Sequence, residues 1–338
     1  MASHALNYQP ARLLRNGHLQ TVLASLWPVS WLIRRRAARL RRAATELVLD
    51  CGEGVRLQAF HSSAGDAGEA DNGSVRRVAI LLHGWEGSAE ATYVLSLGSL
   101  LLARGYDVVR LNLRDHGATH HLNREIFHSC RLSEVVGATR AVAQRFAGAR
   151  LYLAGFSLGG NFMLRVAADA DAPQSIVGAV AVSPVLDPEV TLKALEDGPA
   201  LYHRSFVSRW SRSLRRKQQA WPGIHDFKPM LRLGQLRSMT AGLVTSCTEF
   251  PNLAAYLNGY AVIGDRLAAL RVPASVLLAD DDPIVPAEDL ARLAPSRLLT
   301  VVRSRYGGHC GFTVGVAGPS VADQFVLEQF ERFDRAAA

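Results

Sequence analysis

The chain has 338 residues, 49% of them hydrophobic and 20% charged, which excludes a disordered chain and leaves apolar side chains enough for one large α/β domain carrying an insertion, or two modest domains. The formal net charge is +8, but the excess gathers in residues 34–42 and 204–217 without any helix-turn-helix, zinc-finger or RNA-recognition signature, so no nucleic-acid partner is expected. Cys51, Cys130, Cys247 and Cys310 form no C-x-x-C pair, the N-terminus lacks the features of a secretory signal, and the apolar run over 21–33 holds Pro28 and is too short to span a bilayer. Free thiols in a reducing, cytoplasmic setting are expected.

Residues 1–45 form an arm distinct from the rest. It carries Asn16-Gly17-His18, an apolar stretch with Trp27 and Trp31, and a basic run from Arg34-Arg35-Arg36 to Arg42. Rings beside guanidiniums suit peripheral contact with an anionic membrane surface. The alternative is that the tryptophans pack on the main domain and the arginines are solvated, which the short, proline-broken apolar part favours. From residue 46 onward, strand-like and helical segments alternate. Strands are predicted over 46–49 and 55–61, an antiparallel pair joined by a Cys51-Gly52-Glu53-Gly54 turn, followed by an exposed loop over 64–74. The continuous apolar run 78–82 predicts a strand buried on both faces. A helix over 91–104, stopped by Gly105, precedes a strand over 108–113; a helix over 132–146, a strand over 151–154, a helix over 158–168 and a strand over 176–182 follow.

Beyond Pro184 strands give way to helical stretches with many arginines, Trp210 and Trp221. Strands return over 274–279 and 298–302, with a closing helix over 320–333. This alternation predicts a mostly parallel sheet covered by helices, with core segments 46–186 and 271–338 and a helical lid insertion at 187–270.

Gly155-Phe156-Ser157-Leu158-Gly159 fits G-x-S-x-G directly after a buried strand and at the start of a helix. In that strand–turn–helix setting the serine is forced into a strained backbone conformation with its hydroxyl exposed, and the flanking glycines avoid collisions across the turn. The helix N-terminus favours a developing negative charge. A serine hydroxyl needs a base, and His309, in Tyr306-Gly307-Gly308-His309-Cys310-Gly311-Phe312 after the last predicted strand, is the candidate. For the acid, Asp280, Asp281 and Asp282 follow the strand over 274–279 and precede Pro283-Ile284-Val285-Pro286. Asp282 is chosen because D-x-I-V-P is a common acid-loop pattern; Asp281 is the other candidate, and the remaining aspartates are expected to cap the next helix or face water. The order Ser, Asp, His and this setting predict the α/β-hydrolase fold. Its oxyanion hole is expected from the backbone N–H of Leu158 and, in the loop His83-Gly84-Trp85, of Trp85.

The loop Arg114-Asp115-His116-Gly117-Ala118-Thr119-His120-His121 carries three histidines but no convergent metal-ligand spacing. No metal and no cofactor are expected. Cys310 beside His309 is not taken as a nucleophile, because the elbow holds Ser157.

Together these motifs resemble the YheT-like branch of the α/β-hydrolases, which includes mammalian ABHD-type lipid esterases and yeast medium-chain ester synthases. The points of similarity are Asn16-Gly17-His18-Leu19-Gln20-Thr21, His83-Gly84-Trp85-Glu86-Gly87-Ser88, His128-Ser129, Ser157-Leu158-Gly159-Gly160-Asn161, Asp281-Asp282-Pro283, Gly307-Gly308-His309 and Gly311-Phe312. The chain departs from the family at Arg114-Asp115-His116-Gly117, where R-G-C-S-G is usual, and at Trp85, where leucine is usual. The resemblance implies hydrolysis of short- to medium-chain esters or phospholipids, with acyl transfer to alcohols in some members. Three functions are therefore weighed: an ester hydrolase with the insertion, Trp210 and Trp221 forming lid and pocket; an acyltransferase using the same acyl-enzyme; and a catalytically silent, membrane-associated binding module.

Overall fold

A computed structural model of the chain describes residues 2–65, 75–315 and 318–337, so most of the loop expected over 64–74 lies outside the described residues. In chain order, the arm contributes strand β1 (Ala2–Leu6) and helices α1 (Gly17–Leu23), α2 (Val29–Arg36) and α3 (Ala38–Arg42). Strands β2 (Ala44–Asp50) and β3 (Arg56–Ser62) form the expected antiparallel hairpin. Then come β4 (Arg77–Leu82), α4 (Thr92–Ala103), β5 (Asp107–Leu111), α5 (Leu132–Arg145), β6 (Arg150–Phe156), α6 (Leu158–Ala168) and β7 (Ile176–Val182). Five helices follow with no named strand between them: α7 (Pro188–Asp197), α8 (Ala200–Ala220), α9 (Lys228–Leu231), α10 (Leu236–Cys247) and α11 (Leu253–Gly259). The chain closes with β8 (Ala274–Ala279), β9 (Leu299–Ser304) and α12 (Val321–Ala336).

All nine strands join one sheet in the order β1-β9-β8-β7-β6-β4-β5-β3-β2. Pairing is parallel throughout except for β3, which runs antiparallel to both β2 and β5. The central strands β4, β6, β7 and β8 are apolar but for Arg77, Arg150 and Ser275, because both faces are covered. On β4, Val78, Ile80 and Leu82 enter the core under α5 and α6, whereas Ala79 and Leu81 enter the core under α4 and α12. Such a sheet brings the carboxyl ends of β4, β6, β7, β8 and β9 to one edge, where α/β folds place their sites.

The arm departs from expectation in two respects. Sequence reading gave it no strand, yet β1 extends the sheet beside β9. It also packs without its tryptophans: Val29, Ile33, Ala37 and Leu40 are buried against the α4 side, while Trp27 is 81% and Trp31 49% exposed. The helical period explains this, since Val29, Ile33, Ala37 and Leu40 recur on one face.

Candidate active site

At the end of β6, Ser157 has φ 53° and ψ −121°, a conformation rare for a residue with a side chain. Two close approaches enforce it. A Cβ on Gly155 would collide with the Gly159 carbonyl, and one on Gly159 would collide with the carbonyls of Leu82 and His83 at the end of β4. The Ser157 N–H donates to the Val182 carbonyl at 2.9 Å, while its hydroxyl makes no capping bond to α6 and lines an apolar cavity.

The neighbouring loop is held by His83. The Leu113 N–H donates to His83 Nε2 (3.2 Å), which leaves Nδ1 to donate to the Gly84 carbonyl (2.7 Å). Burial, reinforced by nearby His116, lowers the His83 pKa to about 3, so the ring is neutral and this tautomer is kept. Gly84 is thereby pressed against the serine: a Cβ there would lie 3.1 Å from Ser157 Cβ. Among the described residues neither the Trp85 nor the Leu158 N–H is given to an acceptor, the condition for groups that must meet a developing oxyanion.

His309 Nδ1 lies 2.9 Å from Asp282 Oδ2 and 3.2 Å from Oδ1, with the carboxylate fully buried. Burial opposes a charge on the imidazole, but the adjacent Asp282 carboxylate overrides it and raises the His309 pKa well above 6.5. The three aspartates divide the work differently from expectation. Asp282 itself accepts from the Ile284 and Val285 N–H groups, both at 2.9 Å, so the residue facing the histidine is also the one that fixes the turn. Asp281 accepts from the Gly308 N–H at 2.8 Å and holds the histidine loop, and Asp280 pairs with Arg303. No hydrogen bond joins Ser157 to His309 among the described residues. The two segments meet at one carbonyl instead: Val182 O receives the Ser157 N–H and, at 3.8 Å, the Cys310 thiol.

The helices of residues 188–259 roof this edge. They supply most of an apolar cavity of about 100 Å³ that reaches Ser157 and Leu158, with Leu192, Leu195, Trp210, Leu236, Leu243 and Leu257 among its walls and His128 and Ser129 at its side. Trp210 takes the expected place. Trp221 does not; its indole N–H donates to the His120 carbonyl at 2.9 Å and braces the 114–121 loop. In that loop the histidines turn to separate partners, His116 Nδ1 to the Arg114 carbonyl and His120 Nε2 to the Ser213 hydroxyl. Arg114 is buried on Glu134, and Asp115 on Lys217 at 2.8 Å.

Residues 78–316 match the family described as alpha/beta hydrolase fold. The chain belongs to this family. This alpha/beta hydrolase is 26% identical to YheT of Escherichia coli (strain K12) over 327 residues, 93% of this chain and 89% of YheT. It is 21% identical to the mouse phospholipase ABHD3 over 249 residues, 72% of this chain and 60% of that protein. The fold is shared with the Pyrococcus furiosus esterase Pf2001, at a TM-score of 0.56 and 16% identity over 86% of this chain and 90% of that one. Est1E from Butyrivibrio proteoclasticus gives 0.52 and 17% over 86% and 99%.

Sequence reasoning set Asn16–Thr21 beside other segments as a point of resemblance without giving it a job. In this alpha/beta hydrolase it is the brace of the histidine loop. The Thr21 hydroxyl accepts from the His309 N–H (2.9 Å) and donates to the Gly17 carbonyl (2.6 Å). Buried Gln20 accepts from the Thr313 N–H (2.7 Å) and donates to the Tyr8 hydroxyl and the Leu14 carbonyl, both at 2.9 Å. His18 Nδ1 meets the Tyr202 hydroxyl on α8 at 3.0 Å, so the same segment also touches the helical roof. Nothing in the local pattern of these residues announces such contacts.

Proposed function

We propose that this alpha/beta hydrolase is a carboxylic-ester hydrolase for substrates with a short- to medium-chain acyl group, with Ser157 as nucleophile, His309 as base and Asp282 as the acid behind it. The observation that supports it most is the buried Asp282 carboxylate 2.9 Å from His309 Nδ1, on the sheet edge where a strained Ser157 faces an apolar cavity. Ser157 Oγ attacks the ester carbonyl carbon while its proton passes to His309 Nε2, through a hydrogen bond that tightens on substrate binding. Negative charge grows on the carbonyl oxygen beside the Trp85 and Leu158 N–H groups, worth about 3–4 kcal/mol for each such donor. Collapse breaks the carbon–oxygen bond to the alcohol, which takes the proton from His309. Water then gives a proton to His309 and attacks the acyl-Ser157, releasing the carboxylic acid and returning that proton to Ser157. The test is Ser157→Ala: hydrolysis of p-nitrophenyl butyrate and labelling by a fluorophosphonate are both expected to vanish with circular dichroism unchanged. Retained turnover in that variant would end the reading.

We also propose peripheral contact with an anionic lipid surface through the arm, favoured by the exposure of Leu13 (85%), Trp27 (81%) and Trp31 (49%) beside the arginines of α2.

A further inference from the structure

Trp85 stacks on Phe206 of α8 at 5.4 Å and stands edge-on to Trp210 at 5.3 Å. Besides the acyl cavity it lines a second cavity, of about 500 Å³, and is the one wall residue the two share. The second cavity is cationic. Arg209, Arg212 and Arg216 recur along α8 at helical spacing, and Arg34 joins them from α2. Among the described residues, Arg209, Arg212 and Arg216 make no hydrogen bond or ion pair. Two of the carboxylates nearby are answered without the α8 arginines: Asp115 by Lys217 at 2.8 Å, and Glu90 by Arg110 at 2.6 Å, Arg41 at 2.8 Å and Arg34 at 3.7 Å. Glu86 is left to face the three α8 guanidiniums, and its burial lifts its carboxyl to about 8 despite them. Like charges one helical turn apart repel, a cost that a bound anion removes.

A second observation points the same way. His116 lines this cavity at 3% exposure, its Nδ1 committed to the Arg114 carbonyl and its Nε2 without a partner among the described residues. Burial keeps the ring neutral, with its pKa lowered to about 4, so Nε2 is an acceptor awaiting a hydroxyl. The cavity borders Trp85 and Gly87, in the loop that carries one of the free N–H groups, and Tyr93 of α4, whose hydroxyl accepts from the Gly84 N–H at 3.1 Å. An ester whose acyl chain fills the apolar cavity has its alcohol portion still to place, and this is the adjoining space.

We infer that this cavity is an anion subsite, taking a phosphate or carboxylate carried on the alcohol portion of the ester, with a hydroxyl of that portion donating to His116. The inference rests on the ester-hydrolase reading. Guanidiniums suit both oxyanions through paired N–H donors. The test compares three butyrate esters on the full chain: ethyl butyrate, 2-(butyryloxy)ethyl phosphate and 4-(butyryloxy)butanoate. The expected result is a kcat/KM roughly tenfold or more higher for an anionic ester than for the neutral one, a preference that shrinks with added salt, and competitive inhibition of the anionic ester by inorganic phosphate. Replacing Arg209, Arg212 and Arg216 together by glutamine brings the anionic-to-neutral ratio toward one; a general loss of activity would move both rates and leave the ratio. If the three substitutions prevent folding, phosphate competition in the wild type decides. Which anionic ester is preferred names the group. Equal kcat/KM for all three esters, or a ratio that a folded triple variant leaves unchanged, would overturn the subsite; hydrolysis of none of the three would overturn the ester-hydrolase reading beneath it.

Discussion

Ser157 and His309 are brought to the same sheet edge by opposite means. The serine's strained backbone is made within residues 155–159 and the strand end they press on, so that the segment shapes itself. The histidine sits in a loop with Gly307, Gly308 and Gly311, which has little conformation of its own to offer, and the bond on its backbone N–H comes from Thr21, 288 positions away. Three elements close around that loop: the arm on one side through Gln20 and Thr21, Asp281 through Gly308, and Asp282 through the ring. In the proposed mechanism the nucleophile needs one fixed conformation, which local sterics provide, whereas the base must meet both an acid and the serine, and its loop is held by contacts gathered from across the chain.

The largest expected effect breaks both halves at once. Ser157→Ala and His309→Ala should each lower kcat/KM for p-nitrophenyl butyrate by at least ~10⁴-fold, and the double variant should be no worse than either, because in the proposed mechanism the two residues act as one unit. Additive losses would mean that they do not share a reaction. Asp282→Asn, which keeps the turn but removes the charge, should cost roughly 10³–10⁴-fold. It should also move the pH profile. The base works only when neutral, and the Asp282 carboxylate favours its charged form, so wild-type kcat/KM should climb with pH through a midpoint above 6.5. In Asp282→Asn that midpoint should fall, because burial, which disfavours the imidazolium, loses its main opponent. An unmoved midpoint would assign the titration to another group.

How much of this could be read in the sequence follows the same division. The elbow, the buried strands and the helical stretches after β7 were legible, because each is a contiguous pattern with a local cause; the Ser–Asp–His order was read from chain order alone. The choice of Asp282 over Asp281 rested on a motif, not on any reading of the turn; in the fold the residue whose Oδ1 caps the Ile284 turn is also the one whose carboxylate faces the ring. The brace from Gln20 and Thr21 was not legible. Glutamine and threonine on a short helix look like solvated residues, and only the tertiary contact makes Gln20 fully buried. Strand β1 was missed for a related reason: Ala-Ser-His-Ala-Leu has neither alternation nor an apolar run, and its pairing with β9 at the sheet edge supplies what its own propensity lacks. The tryptophans misled because large apolar residues are ordinarily buried, whereas here Val29, Ile33 and Leu40 do the packing.

If the arm positions the base, damage to it should lower turnover more than binding. In Gly17→Ala the added Cβ collides with the Asp281 carbonyl, and the acid loop must shift. A displacement of about 1 Å costs on the order of 10²-fold in rate, so kcat should fall by that order with KM little changed. Thr21→Val is milder: it removes the acceptor of the His309 N–H while keeping the shape. An unsatisfied buried donor costs about 1–3 kcal/mol. We expect a kcat loss of roughly tenfold, restored by Thr21→Ser, whose hydroxyl can accept the same bond. A loss that Thr21→Ser fails to restore would point to packing instead of positioning.

The smallest expected effect on chemistry lies at the other end of the same arm and separates its two faces. Trp27 and Trp31 are exposed and, among the described residues, share no hydrogen bond or ring contact with the groups around His309, while Trp31 lies under the Arg35 guanidinium at 5.4 Å. Trp27→Ala with Trp31→Ala should therefore leave turnover of a soluble ester within about twofold and the unfolding free energy within about 0.5 kcal/mol. Sedimentation with phosphatidylserine-containing vesicles should nevertheless decline, because ring burial at headgroup level and arginine attraction to anionic lipid act together. No wild-type sedimentation, or sedimentation unchanged in the double variant, would remove the lipid contact and leave the arm with its single role as the brace of His309. If turnover of the soluble ester falls as far as in Thr21→Val, the two faces are one mechanical unit, and the division drawn between them fails.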